Sequence, residues 1–272
     1  MRRPSRKATR TLTYSRHQHH HHHRHTGLTV SILFTMACAT GLAACGAGAP
    51  GAPSANDGLV INRPTPQHIS LVDQQGQPVS LAGLRGRIVV LAPFLTLCQD
   101  ECPLVTAAFI GLQRDLTAAG LADKVAFVEA TVDPGRDTVA RLAAYDKEFG
   151  ADWHLWTGSP ANLAAFWKDF GISYQVVPEA QPAHIDWYTA KPLTYDVDHT
   201  DGYLLIDSSG RERFLNASAP NLHGRLNRKL TSLLNPGGIR GLHHPQQTDW
   251  TVNQALAAIS WLLGTHVPAV GS

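Results

Sequence analysis

RIVVLAPF (residues 87–94) runs directly into LTLCQDECP (95–103), and this stretch decides the fold. The first segment, apolar and rich in β-branched residues, reads as a short strand buried on both faces at the centre of a sheet. Beyond it Val105, Phe109, Leu112 and Leu116 recur near helical spacing, and the pattern stops at Gly120. Cys98 and Cys102 lie between strand and helix, with Pro103 next. At this spacing both side chains share one face of a first helical turn, with Cβ atoms about 5 to 6 Å apart. A helix N-terminus favours thiolate. The pair suits a soft metal ion or a dithiol–disulfide couple.

The flanking sequence alternates strand and helix. Residues 68–72 and 77–81 flank Gln75-Gly76 as a hairpin, and residues 125–132 form a second buried strand. Asp137 reads as the cap of a helix over 138–149, ending at Gly150, and another helix runs from about residue 160 to 170, closing at Gly171. Residues 202–207 and 211–215 pair around Ser208-Ser209-Gly210, before a helix from about 221 to 234. This order predicts an α/β, thioredoxin-like central sheet flanked by helices, with an N-terminal β-hairpin and a C-terminal helical extension. Ligand sites on such sheets lie at the carboxyl ends of strands. Cys98 follows one strand there, and His199 sits just before another.

The tail from Asn235 begins with Asn235-Pro236-Gly237-Gly238, read as a linker. Thr248 or Asp249 then caps a helix through Leu263, on which Val252, Leu256, Ile259 and Leu263 form one apolar stripe expected to pack on the domain.

The N-terminus reads as an export signal. Arg2, Arg3, Arg6, Lys7, Arg10, Arg16 and Arg24 precede an uncharged run, residues 28–42, too short for a span of about 20 residues. Leu42-Ala43-Ala44-Cys45 resembles a bacterial lipobox, which implies removal of residues 1–44 and lipid on Cys45. Residues 45–58, rich in Gly, Pro and Ser, read as a flexible tether; residues 59–234 form the domain and 235–272 the linker and helix. The expected location is the extracytoplasmic face of the cell membrane. The histidine run at His17, His19 to His23 and His25 lies upstream of the cut and carries no function here. Of four cysteines, Cys38 is then discarded and Cys45 blocked, leaving Cys98 and Cys102. Hydrophobic content of 43% supports a packed core, and a net charge of +2 leaves no nucleic-acid footprint.

Three motifs resemble the SCO/SenC family of copper chaperones, in family order over residues 60–234. They are residues 81–103; Thr131-Val132-Asp133-Pro134 with Arg136-Asp137-Thr138; and Val197-Asp198-His199-Thr200 with Tyr203-Leu204-Leu205-Ile206-Asp207. The resemblance implies a thioredoxin-like fold, membrane attachment and copper, as Cu(I) or Cu(II), bound by Cys98, Cys102 and His199. It also implies help in assembling the copper centre of cytochrome c oxidase, with its copper-bearing subunit or another cuproprotein as partner. Asp100 and Asp198 fall near the metal without being ligands. Gln99 stands where the family usually has proline, and Glu101 where an apolar residue is common.

Donor chemistry points the same way: thiolates select Cu(I), and an imidazole helps to hold Cu(II). Structural zinc takes four ligands, and three are visible. The rival is a thioredoxin-like thiol–disulfide oxidoreductase acting on cuproprotein cysteines through a redox-active Cys98–Cys102 pair, itself served by a thiol reductase. Such enzymes usually carry two residues between the cysteines rather than three, and they give His199 no task.

Overall fold

The computed structural model describes residues 48–270. Strand β1 (Leu59–Pro64) is followed by the hairpin of β2 (Leu71–Asp73) and β3 (Pro78–Val79). β4 (Ile88–Phe94) leads through the cysteine loop into helix α1 (Cys102–Ala118). Next come β5 (Val125–Thr131), α2 (Val139–Phe149), β6 (His154–Thr157) and α3 (Pro160–Phe170). β7 (Tyr174–Pro178) and β8 (Tyr195–His199) pair as a separate two-stranded sheet. β9 (Tyr203–Ile206), β10 (Arg211–Asn216), α4 (Arg228–Thr231), α5 (Pro236–His243) and α6 (Val252–Leu263) complete the described chain.

The main sheet has the order β1-β10-β9-β4-β5-β6-β2-β3. β4 and β5 are buried along their whole length, as their Val-rich sequences require. They run parallel, with Ile88 opposite Val125 and Phe94 opposite Thr131. β9 is antiparallel to β4, with Leu91 opposite Leu204. The segment arriving at β9 therefore stands at the same sheet end as the loop leaving β4. A central strand with one parallel and one antiparallel neighbour, flanked by helices, is a thioredoxin-like sheet, as the element order predicts.

The core forms where α1 meets the sheet. Val105, Phe109, Leu112 and Leu116 are all buried, and Phe109 packs on Phe127 and Trp153 with ring centroids 5.2 and 5.8 Å apart. α6 packs against α1 and β4, as its stripe predicts, and buries Leu256 and Ile259. Each such side chain contributes about 1.5–3 kcal/mol. Its cap is Thr251 in a reciprocal capping box with Gln254, not Thr248 or Asp249.

Other elements depart from the sequence reading. Asp137 does not cap α2; Thr138 does, accepting from the Arg141 N–H. Asp137 is buried one residue earlier and accepts from Thr96 and Thr131. The helix expected over 221–234 shrinks to α4, because His223 and Gly224 adopt left-handed φ of 53° and 72° and Asn227 restarts the chain as a cap. Residues 235–238 are not a linker: Asn235 caps α5 and Pro236 opens it. β1, β6 and the β7–β8 pair are short and without clear alternation, and the sequence pattern does not predict them.

Glu129 is the unusual residue of the core. It sits in mid-β5, fully buried, accepting 3.0 Å from Trp153 Nε1 and 3.1 Å from the Thr106 hydroxyl, which also touches Tyr145. Burial pushes its pKa up to about 8, against 4.5 ordinarily. A carboxyl raised in the folded state takes up a proton on folding, so stability falls as pH rises from 4.5 towards about 8. Glu129→Gln keeps the hydrogen-bonding shape without the charge. Thermal unfolding at pH 5 and pH 8 is expected to show a smaller pH-dependent loss in the variant. The gain at the higher pH is on the order of 2 kcal/mol; an unchanged slope contradicts this account.

Candidate metal centre

The cysteine loop leaves the end of β4 under firm control. The Thr96 N–H and hydroxyl both donate to the buried Asp137 carboxylate, and the Thr96 carbonyl accepts from Trp187 Nε1 at 2.7 Å. Cys98 N–H closes a turn on Leu95 O at 3.1 Å. Glu101 stands at the N-cap of α1 without capping through its side chain. Cys98 Sγ fills that role, accepting from the Cys102 N–H at 3.3 Å. The thiol four residues ahead thus caps the helix that carries its partner.

His199 reaches the pair from 97 residues away in sequence, as the last residue of β8. β7 fixes its register, with Tyr174 opposite His199 and Val176 opposite Val197. β8 is tied down by Arg136 Nη1 donating to Tyr195 O at 2.7 Å and by the Tyr195 hydroxyl donating to Asp133 at 3.0 Å. The proline-rich stretch before β8 is fastened too, through a two-pronged Arg141–Asp186 pair at 2.8 and 2.7 Å. After His199 the chain turns at Gly202, φ +93°, where a Cβ would lie 1.8 Å from the Asn216 carbonyl oxygen. Only glycine fits there.

The imidazole is oriented for coordination. Its Nδ1 lies 2.9 Å from the Thr200 carbonyl, which can only accept, so Nδ1 carries hydrogen. Nε2 faces Cys102 Sγ at 3.4 Å. The Cys98, Cys102 and His199 ligand atoms all lie within 4.8 Å of one another. Metal–sulfur bonds of about 2.3 Å in a trigonal set place ligands about 4 Å apart, so the three fit one ion.

Charge at the site is strongly perturbed. Hydrogen bonding from Cys102, and then from the His199 ring, holds the Cys98 thiol well below its ordinary pKa. Burial pushes Cys102 well above its own. Burial works against protonation of His199, but the Cys98 thiolate outweighs it and raises the ring to about 9. These directions favour negative charge on Cys98, with protons held on the His199 ring and on Cys102. A metal that takes both sulfurs and Nε2 displaces the protons of the last two. Acidic groups rim the site: burial, with neighbouring negative charge, lifts Glu101 to about 8, and burial lifts Asp201 to about 6.

The structure thus brings together the three residues singled out in the sequence. Asp198 is exposed, and Asp100 bonds to Asn235, 3.1 Å from its amide. His184 pairs with Glu179 at 2.7 Å. Cys45 and the histidine run lie outside the described residues. Of the elements that hold His199, Arg136 falls in one of the three motifs without that role, and the β7–β8 pair has the facing valines Val176 and Val197 as its sequence signal.

Comparison with known proteins fits this geometry. The family model SCO1/SenC matches residues 62–231. The mitochondrial SCO2 homolog of Mus musculus is 31% identical over 141 residues, 52% of this chain and 51% of that protein. A protein of Stutzerimonas stutzeri named for copper binding is 29% identical over 155 residues, 57% of this chain and 70% of that one. The chain spans about half the length of the mammalian relatives it matches. Among solved structures, copper-bound ScoI of Bradyrhizobium japonicum is 27% identical with a TM-score of 0.47, covering 63% of this chain and 96% of that one. Because the matched stretch covers more than half the chain, from β1 into α4, and takes in both cysteines and the histidine, the chain belongs to the SCO1/SenC family.

Proposed function

We propose that this protein is a copper chaperone that carries one copper ion on Cys98, Cys102 and His199 and passes it to a cuproprotein. The copper-bearing subunit of cytochrome c oxidase is the recipient this reading favours. The observation that carries it is the convergence of two sulfurs and a directed imidazole nitrogen, from distant segments, within 4.8 Å. Two sulfurs suit Cu(I) and the nitrogen extends the site to Cu(II), so one donor set serves both oxidation states. Support also comes from family membership and from relatives named for copper. Three ligands leave room for a donor from the recipient, which a carrier needs and a structural site does not. Asp201 at the rim, with a pKa of about 6, is largely ionised at neutral pH and favours approach of a cation.

Lipid attachment at Cys45, with the domain held on the extracytoplasmic face of the membrane, belongs to the same reading. It rests on the sequence of residues 28–46, outside the described region. Among the described residues no helix is long and apolar enough to cross a membrane. Thiol–disulfide exchange on cuproprotein cysteines is the second reading, favoured by the Cys98 thiolate beside a second thiol. It uses His199 only through its influence on the Cys98 thiol, not through the aim of Nε2 at Cys102.

Copper titration of the reduced protein, followed by sulfur-to-Cu(II) charge-transfer absorbance, is expected to reach about one ion per chain, the capacity of one three-donor site. Cys98→Ser and Cys102→Ser are each expected to abolish the band, while His199→Ala retains Cu(I) and loses Cu(II). Retention of both states by His199→Ala removes the imidazole from the site. If thiol exchange is the main activity, the metal-free protein instead turns over disulfide substrates, and His199→Ala slows that turnover by removing the ring that favours the Cys98 thiolate. Cys45→Ser is expected to move the protein from the membrane fraction to the soluble one on fractionation; unchanged membrane retention refutes the lipid anchor.

A further inference from the structure

The copper loop touches a part of the chain that the family match does not include. The match ends at residue 231, and Asn235 to Gly238 lie just beyond it. The loop residues Gln99 and Asp100 bond to this segment. The Asn235 N–H donates to the Gln99 carbonyl at 2.9 Å, and the Asn235 side-chain amide donates to the Asp100 carboxylate at 3.1 Å. The same Asn235 side chain accepts from the Gly238 N–H at 2.8 Å, capping α5. One residue thus ties the loop to the helix start with both its backbone and its side chain.

The two glycines make the contact close. A Cβ on Gly237 would lie 2.6 Å from Asp100 Oδ1, and one on Gly238 would lie 2.5 Å from the Gln99 carbonyl oxygen. Any side chain at Gly238 must push against loop backbone. Gly241, on the same helix, has nothing within 4 Å of its would-be Cβ. Behind the contact, the extension is anchored independently: Leu242 is buried, Trp250 Nε1 donates to Ser218 O at 2.9 Å, and Gln254 donates to Asp57 at 2.8 Å. Leu233 and Leu234, which lead into the segment, also line a cavity of about 240 Å³ together with Cys98 and Gln99.

We infer that residues 235–238 are a positioning clamp for the copper loop, holding Gln99 and Asp100 so that Cys98 keeps its place against Cys102 and His199. The consequence for copper retention rests on the proposed copper-binding function, whereas the clamp itself is a property of the metal-free chain as well. Asn235 and Gly238 are positioning residues and touch no metal. With the clamp released, the three residues between the cysteines gain freedom, Cys98 leaves its caging geometry more often, and bound copper escapes faster.

The test uses the full-length protein with Gly238→Ala, Asn235→Asp and, as control, Gly241→Ala. Asn235→Asp keeps the acceptor that caps α5 but loses the donor to Asp100 and sets two carboxylates together. Two rates are read: transfer of Cu(I) to an excess of a chromogenic chelator, and alkylation of Cys98 by iodoacetamide in metal-free protein. Gly238→Ala and Asn235→Asp are each expected to raise both rates about tenfold, as the loss of one or two hydrogen bonds implies. Gly241→Ala stays at the wild-type rates. Adding Asp100→Asn to Asn235→Asp re-forms a donor–acceptor pair with its polarity reversed and is expected to bring both rates back. Near-ultraviolet circular dichroism checks that each variant is folded, and Asn235→Asp decides the matter if Gly238→Ala is not. Wild-type rates in folded Gly238→Ala and Asn235→Asp overturn the clamp. A wild-type protein that binds no copper, but whose Cys98 alkylation still rises in these variants, overturns the copper reading and leaves the clamp standing.

Discussion

The antiparallel pairing of β9 with β4, inside a sheet whose other β4 neighbour runs parallel, is the constraint on which the site depends. It sends the end of β4 and the start of β9 to the same edge, so that a cysteine loop and a distant histidine meet there. Two buried hydrophobic strands enforce this pairing, since slipping either by one residue reverses which side chains face each layer. The ligands are then adjusted locally: Asp137 grips Thr96 before the cysteines, and the Thr200 carbonyl turns the imidazole.

That division explains what could be read in advance. RIVVLAPF and the 105–116 periodicity are dictated by burial, and burial leaves a strong pattern in sequence; hence β4, α1, β5 and α3 lie close to where they are expected. Cys98 and Cys102 were legible because their spacing is local. His199 could be assigned by motif, but its approach to the sulfurs is a product of strand topology that no local window contains. Asp137 illustrates the limit. One residue before a helix, an aspartate looks like a cap, and only the fold shows that Thr138 takes that task while Asp137 faces inward to two threonines. Asn235-Pro236-Gly237-Gly238 misled for a related reason: the residues that favour turns also start helices, and the glycines here answer to a neighbouring backbone.

Several carboxyl groups in this fold sit where water does not reach. Glu129 lies among aromatic rings without a cation, and Asp137 is held by hydroxyls and a backbone N–H, its pKa lifted to about 6 by burial. Asp186 takes the opposite course: though burial opposes ionisation, the Arg141 guanidinium holds it well below the usual carboxylate range. Asp186 differs from Glu129 and Asp137 in having a two-pronged guanidinium and backbone N–H donors together, enough to outweigh burial.

The long chain separation between Cys102 and His199 has a mechanical consequence for any ion bound between them. An ion shared by these residues closes a loop containing α2, β6, α3 and the β7–β8 pair, so the loaded form is cross-linked across much of the domain. Its stability is then coupled to occupancy through ordinary mass action. With the site empty there is no cross-link, and the hairpin ending in His199 relies upon Arg136, Asp133 and its partner strand. The firmness with which that hairpin is held would therefore report whether the site is filled.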